Sequence, residues 1–531
     1  MTNSIPEIED AECILVTGSN TTENHPMIGS RILRAKEKGK KLIVVEPRRI
    51  HLAQFADIYA RPRLGTDLAW INGLSNIIFA EGWEDAEYIA ARTEGVERLR
   101  EKVAEYPPER VEAITGIDRE MLHEMARLYA TADRAAIVYA MGITQHTGGT
   151  DNVLALANLA MVTGNVGKRS AGVNPLRGQN NVQGACDMGG LPNVLTGYQS
   201  VTDPAVRKKF EQAWGLRSGL QAKPGLTVVE MANAAAEGAI KGMYVMAENP
   251  ILSDPDANHT REALENLEFL VVQDIFLTET AQLADVVLPG SSFVERDGTV
   301  TSTDRSVQRM RKVIDPPGEA RADWEIICEI ARRCGGQGFR YASPGDVFAE
   351  MARLTPIYGG MSYERLENEW LRWPCRSADD PGTEFMHKDR FSRGKGVFTP
   401  VDYREPAEEP DEAYPFMLTT GRIMFHYHTG AQTRRSPSLE REVSENYVEL
   451  NPQDAHGLGV HPGELIAVAS RRGSIQVKAA LTPTVPKGVV FIPFHFAESA
   501  ANALTNRALD PVSKIPEFKV CAVSVARLVT L

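Results

Sequence analysis

The stretch from Asn174 to Asn193 concentrates side chains that recognise rather than pack: the carboxamides Asn174, Gln179, Asn180, Asn181, Gln183 and Asn193, several glycines, and Arg177. With almost no apolar run to bury, it makes a poor helix and a poor strand, so its amides and its arginine need outside partners. Loops of that kind line sites. One buried arginine among neutral donors suits a small, flat anion, because guanidinium presents two parallel N–H groups to a planar edge. The alternative is an exposed Gly/Asn loop joining two helices, and the residues alone leave both readings open.

Polar groups also gather where apolar runs stop: Gly18-Ser19-Asn20, Glu46-Pro47-Arg48, Gly142 through His146, Glu248-Asn249 and Gln273-Asp274. A carboxylate just past a buried strand can hold ribose hydroxyls or the N–H edge of guanine, and Glu46, Asp67 and Asp274 are placed to do so. The first turn reads GSNTTEN rather than GxGxxG, which argues against a nicotinamide dehydrogenase of the usual kind. Any one of these residues alone would read as a helix cap or a surface acid. Further on, TTGRIMFHYHTGAQTRRS supplies hydroxyls, Arg422 and the pair His426 and His428. In a strand the two histidines share a face, but no third ligand lies at a zinc spacing, and Thr-Gly-Arg suits phosphate oxygens better.

The elements that must position these groups follow one grammar. CILVTG (13–18), KLIVVEPRR (41–49), AAIVYAMG (135–142), GMYVMAEN (242–249), FLVVQD (269–274) and ADVVLPG (284–290) read as buried strands. Helical patterns lie between them, one opened by Pro26 and stopped at Gly39, another over 154–164. Near-continuous apolar strands alternating with helices predict α/β, Rossmann-like domains with parallel sheets covered on both faces. The acidic, proline-rich 376–412 region reads as a linker. After it, PFMLTTGR, ELIAVASRRGSIQVKAAL and GVVFIPFHF predict a small closed β-barrel. The expected map is 1–178, 179–375, the linker at 376–412, and 413–531.

At 531 residues the chain is too long for a single core. A net charge of −12 argues against nucleic-acid binding, and no apolar run reaches the ~18 residues a bilayer span needs. The acidic start TNSIPEIEDAE is no secretory signal. Cys13, Cys186, Cys328, Cys334, Cys375 and Cys521 form no CxxC pair, which excludes a dithiol or a cluster cage held by this chain alone and fits a cytoplasmic, reducing setting.

Taken in order, ILVTGSNTTENHP, VVEPRR, MGITQHTGGTDNVLALANLAMVTGNVGK, PLRGQNNVQGACDMG, VVQDIFLTETAQLADVVLP, LTTGR with HYHTG, and TNRALDPVSKIPEFK resemble the catalytic (alpha) subunits of formate dehydrogenases in the molybdopterin oxidoreductase family. The resemblance runs through nearly all of the chain. It implies a bis-molybdopterin guanine dinucleotide holding molybdenum or tungsten, and a C-terminal barrel of the molybdopterin dinucleotide-binding type. Gly18, Asn20, Glu23, Glu46, Arg48, Gly65 and Asp67 match positions for one guanosine end, while Gln273, Asp274 and Thr278 match the other. Gly142, Gln145, Gly178, Gln179, Gly421, Arg422, His428, Asn506, Phe518 and Lys519 match pterin and pyrophosphate contacts. Arg177 matches the residue that orients the formate carboxylate, and no residue here is read as a metal ligand.

Two departures qualify the match. The four-cysteine domain for a 4Fe-4S cluster is not in this sequence, nor is the selenocysteine- or cysteine-histidine pair at the metal. The expectation is therefore a truncated catalytic subunit that starts just beyond that pair, through a selenocysteine codon read as a stop or a split gene with a separate N-terminal chain, and that is inactive with formate as an isolated fragment. One α/β domain would then lack its early strands. Iron–sulfur or diaphorase-type electron-transfer subunits are the implied partners, with formate and carbon dioxide as substrate and product. A non-catalytic pterin-binding remnant, a nitrate reductase of the same family and an unrelated nucleotide-dependent oxidoreductase are the alternatives. An export signal further upstream would change the cytoplasmic expectation.

Overall fold

The computed structural model describes residues 1–528. The chain forms two compact units: Met1–Gly178 with Leu252–Asn258 and the chain from Phe385 onward, and Gln179–Ile251 with His259–Glu384.

The first unit opens on a five-stranded sheet of β1 (Cys13–Thr17), β2 (Lys41–Val45), β3 (Ile58–Ala60), β4 (Ala135–Tyr139) and β5 (Gly172–Pro175), in the order β3-β2-β1-β4-β5. Every adjacent pair is parallel. Side chains alternate faces along a strand, and both faces are buried here. Leu15, Ile43 and Ile137 feed one core with Trp70 and Leu156, while Ile14, Val16, Leu42 and Val138 feed the other with Ile32. The strand order reverses between β1 and β4, which opens a crevice beyond their carboxyl ends.

The same unit carries a closed six-stranded barrel: β9 (Phe416–Gly421), β10 (Tyr447–Leu450), β11 (Leu465–Ala469), β12 (Ser474–Leu481), β13 (Val489–Pro493) and β14 (Cys521–Arg527), ordered β9-β13-β10-β12-β11-β14. Its interior is filled by Leu418, Val448, Ile466, Val477, Val490 and Val523. The segment before β14 docks on the helix Gly149–Val162 through two carboxylates. Asp510 accepts from the Thr150 N–H (2.9 Å) and hydroxyl (2.8 Å), and Glu517 accepts from the Thr147 N–H and hydroxyl, each at 3.1 Å. Negative charge at a helix N-terminus is favourable, so these contacts both cap and anchor.

The second unit holds a parallel sheet of β6 (Gly242–Met246), β7 (Phe269–Asp274) and β8 (Val286–Pro289), with β7 central. Among the described residues, no helix is long and apolar enough to cross a membrane.

Three expectations change. The 376–412 stretch is not a free linker: Phe398 and Val401 join the core beside β1, and Asn158 exchanges hydrogen bonds with the Thr399 backbone. The amide-rich run folds in part as the helix Val182–Asp187, with Gln183 donating to Asp187 (2.9 Å) and Asn181 accepting from the Thr301 N–H (2.8 Å). Tyr198 and Tyr358 also donate to the Asp187 carboxylate, at 2.8 and 2.7 Å, so these amides serve the unit's own packing. His426 and His428 do not lie on a strand, because β9 stops at Gly421 and the chain turns, with His428 at φ +50°.

Candidate functional site

The turn that leaves β1 is built to meet something polar. Gly18 has φ +56°, and a Cβ there would lie 2.5 Å from the Ile143 nitrogen; one on Gly142 would lie 2.5 Å from the Gly18 Cα. The two glycines therefore bring the ends of β1 and β4 into backbone contact, with the Gly142 N–H donating to the Gly18 carbonyl at 3.0 Å. On the same turn Thr17 Oγ1, Asn20 Nδ2, Asn24 Oδ1 and His25 Nδ1 are buried without a hydrogen-bond partner. Buried polar atoms normally find partners, so four orphans within nine residues mark a place for a polar ligand.

Beside them a recess collects charge. Glu46 follows β2, Asp67 opens the helix Asp67–Glu81, and Lys519 comes from the segment before β14. Burial, and then the neighbouring Asp67, push the Glu46 carboxyl up to about 8, against the pull of Lys519, Arg48 and the Ser19 N–H. Burial likewise lifts Asp67 to about 6, although the Trp70 indole donates to it at 3.3 Å. Burial brings Lys519 down to about 8, opposed by Glu46; its ammonium donates to the Thr420 carbonyl at 2.6 Å. Near neutral pH the recess thus offers a carboxylic O–H, a carboxylate and a cation that is readily deprotonated. That donor and acceptor set fits hydroxyls and an N–H edge.

Arg48 turns away from free solvent and grips Glu449 of β10 with two bonds, 2.7 and 2.5 Å, with its guanidinium 4.1 Å from the Phe491 ring centre. Its fork is thereby occupied by protein. Glu23 lies close enough to Arg48 to add to its electrostatic field. Gly65 at φ +75° packs against Pro406, and Gln145 ends the turn Met141–Thr144.

On the barrel side, Gly421 lies against Phe491, and Arg422 donates to the Gly178 carbonyl at 2.5 Å. Burial, then the Arg422 charge, press His428 down to about 4, so its ring is neutral. His495, held near 3 chiefly by burial, donates through Nδ1 to the His428 carbonyl and accepts the Ile423 N–H at Nε2 (3.1 Å). The Phe518 carbonyl accepts the Thr420 hydroxyl (2.9 Å), and Asn506 bridges Val520 and Ala508 (3.1 and 2.9 Å). Arg177 is half-buried rather than fully buried, and its carbonyl bonds His25 Nε2 at 2.7 Å.

In the second unit Gln273 donates to Asp323 (2.6 Å) and accepts from the Tyr244 hydroxyl. Asp274 accepts from the Ile275 N–H at 2.6 Å, and Thr278 from the Ala281 N–H at 3.3 Å. Gln179 lies half-buried in the bend that begins this unit. Among the described residues no group of three or more His, Cys, Asp or Glu could hold a metal ion.

The sequence did not single out His25, Glu449, Asp510, Glu517 or His495, and it marked His146 only as the end of the polar run from Gly142. His146 sits between Asp67 (3.9 Å) and Glu517 (4.0 Å) and bonds the Gly142 carbonyl at 2.8 Å. Its place inside TQHTGG next to Gln145 was the available signal; the others depend on partners between 67 and 401 residues away.

Comparison with known proteins points the same way. Residues 1–333 match the molybdopterin oxidoreductase family model, and 416–522 match the molydopterin dinucleotide binding domain. The chain is 53% identical, over 99% of its length and 78% of the relative's, to an F420-dependent formate dehydrogenase subunit alpha from Methanocaldococcus jannaschii. It is 39% identical to formate dehydrogenase H of Escherichia coli (99% and 74% covered) and 36% identical to an assimilatory nitrate reductase catalytic subunit of Bacillus subtilis (99% and 76%). Acetylene hydratase from Pelobacter acetylenicus shares the fold, with a TM-score of 0.76 at 22% identity over 99% of this chain and 81% of that one. The orphaned atoms of the β1 turn, the charged recess and the matched barrel suit a molybdenum- or tungsten-pterin cofactor. The chain belongs to the molybdopterin oxidoreductase family.

Proposed function

We propose that this chain is the catalytic subunit of a formate dehydrogenase, interconverting formate with carbon dioxide, a proton and two electrons. The observation that carries the reading is the identity gradient: 53% with a formate dehydrogenase alpha subunit against 36% with a nitrate reductase, at similar coverage. When bound, a bis-molybdopterin guanine dinucleotide of molybdenum or tungsten supplies the two-electron acceptor. The residues of this chain bind, orient and set charge. Gly18, Asn20, Glu23, Glu46, Gly65 and Asp67 hold one guanosine end, with Arg48 bracing the wall through Glu449. Gln273, Asp274 and Thr278 hold the other. Gly142, Gln145, Gly178, Gln179, Gly421, Arg422, His428, Asn506, Phe518 and Lys519 take pterin and pyrophosphate. Arg177 would grip the formate oxygens with two parallel N–H groups, which fixes the orientation of the carboxylate before reaction.

Iron–sulfur electron-transfer subunits carry the electrons away in this reading. The test is to express the chain with those partners and with an N-terminal chain that supplies the selenocysteine- or cysteine-histidine pair and the four-cysteine domain, measure pterin and metal content, and assay formate-dependent dye reduction beside nitrate reduction. Turnover of formate supports the assignment. Pterin-loaded protein that reduces nitrate and ignores formate overturns it.

A further inference from the structure

We infer that His25 is a positioning residue for Arg177: it fixes the substrate-binding guanidinium by holding the arginine's own backbone. The inference rests on the reading of Arg177 as the formate clamp. Past β5 the chain keeps one regular bond, from the Leu176 N–H to the Tyr139 carbonyl at 2.7 Å. Two side chains then hold the carbonyls that follow. His25 Nε2 meets the Arg177 carbonyl at 2.7 Å, and Arg422 meets the next carbonyl, of Gly178, at 2.5 Å. Two consecutive carbonyls are thus pinned, one from the β1 turn and one from the barrel. A Cβ on residue 178 would lie 2.8 Å from the Arg422 guanidinium, so a side chain there would push against the second pin.

The geometry fixes the chemistry of His25. A carbonyl only accepts, so Nε2 carries the proton and the neutral ring exposes Nδ1 as an acceptor, the atom left buried without a partner. Burial, together with the Arg422 charge, holds the ring below its ordinary value despite that bond, which favours the neutral form, and the bond to the carbonyl selects its tautomer. His25 itself is set by Pro26, the first residue of the helix Pro26–Glu37. An arginine with four free torsions aims its fork well only if its Cα is fixed, so the pinned carbonyl lowers the cost of ordering the side chain on substrate.

The test compares His25→Ala, His25→Gln and Arg177→Ala in the pterin-loaded full chain. Hydrogen exchange of the peptide covering 174–181 and calorimetric binding of sodium formate are the readouts. His25→Ala should speed exchange in that peptide and weaken formate binding about fivefold, the scale of one lost hydrogen bond. Glutamine places an N–H close to the Nε2 position, so His25→Gln should restore both. Arg177→Ala should abolish formate binding while leaving exchange of the peptide near the parent's. Wild-type exchange and formate affinity in His25→Ala, or a glutamine variant as loose as alanine, would overturn the inference. A loosened peptide in His25→Ala with formate binding that Arg177→Ala does not alter would keep the backbone anchor and refute the clamp instead.

Discussion

In the first unit every residue of β1 and β4 is buried and both faces of the sheet carry a core, whereas in the second Tyr244, Met246, Phe269, Val286 and Val287 stay exposed on a three-stranded sheet. Their strand ends differ in the opposite sense. The β1 turn leaves four buried polar atoms unsatisfied, while Gln273 and Asp274 at the end of β7 and Thr278 beyond it are engaged with neighbours in their own unit. A fully buried sheet is rigid enough to hold polar groups in wait for a ligand. Where the sheet itself is half-open, the same residue types have settled their bonds locally. Engagement does not exclude binding, but it makes the ligand compete with an existing bond.

That contrast can be broken by substitution. Gly18→Ala places a methyl on backbone at a left-handed φ and should cost about 3 kcal/mol of stability, from strain and overpacking together. Gly335→Ala, at φ +83° with nothing within 4 Å, should cost about 1 kcal/mol. Equal shifts in thermal unfolding would mean the β1–β4 contact is not tight.

Arg177→Lys keeps the charge and loses the planar fork, so kcat/KM for formate should fall at least about tenfold in the complex with its electron-transfer partners, near 1.4 kcal/mol. A loss under about threefold would remove the arginine from the substrate.

Glu46→Gln sharpens the comparison through pH. The unfolded chain releases this proton near 4.5, the ordinary value for a glutamate, whereas the native protein holds it to about 8. Across that window the native state binds more protons, so the ligand-free protein should lose stability as pH rises. Glutamine should flatten that part of the Tm–pH curve. An unchanged slope would mean Glu46 ionises normally.

The smallest effect is expected at Asp274→Ala, about 1 kcal/mol for its lost backbone bonds, accompanied by lower guanine nucleotide content in the purified protein. Full nucleotide content with the same stability loss would leave Asp274 a turn residue.

The sequence showed the central strands because apolar runs such as CILVT and AAIVY read as buried strands, but it overran several, with 41–49 expected where β2 is Lys41–Val45, and it missed the short edge strands β3 and β5. The barrel was legible from short strands and turns. What stayed hidden depends on distant partners. Nothing near Arg48 announces Glu449, and nothing in VQGACD announces the tyrosines that satisfy Asp187 and let six residues turn helical. His426 and His428 misled because alternation suggests a strand, yet the chain had already turned at Gly421.

The carboxylates of Asp510 and Glu517 sit 360 and 370 residues from the threonines they bind. During synthesis, the helix that starts at Gly149 therefore emerges long before its caps exist, and the recess around Glu46 lacks Lys519 for the same interval. Contacts of such sequence separation form late. The first sheet can assemble early, but a ligand that needs both walls has nowhere complete to bind until the barrel's last segment has been made and docked. Binding that uses both walls is thereby coupled to the folding of this unit as a whole.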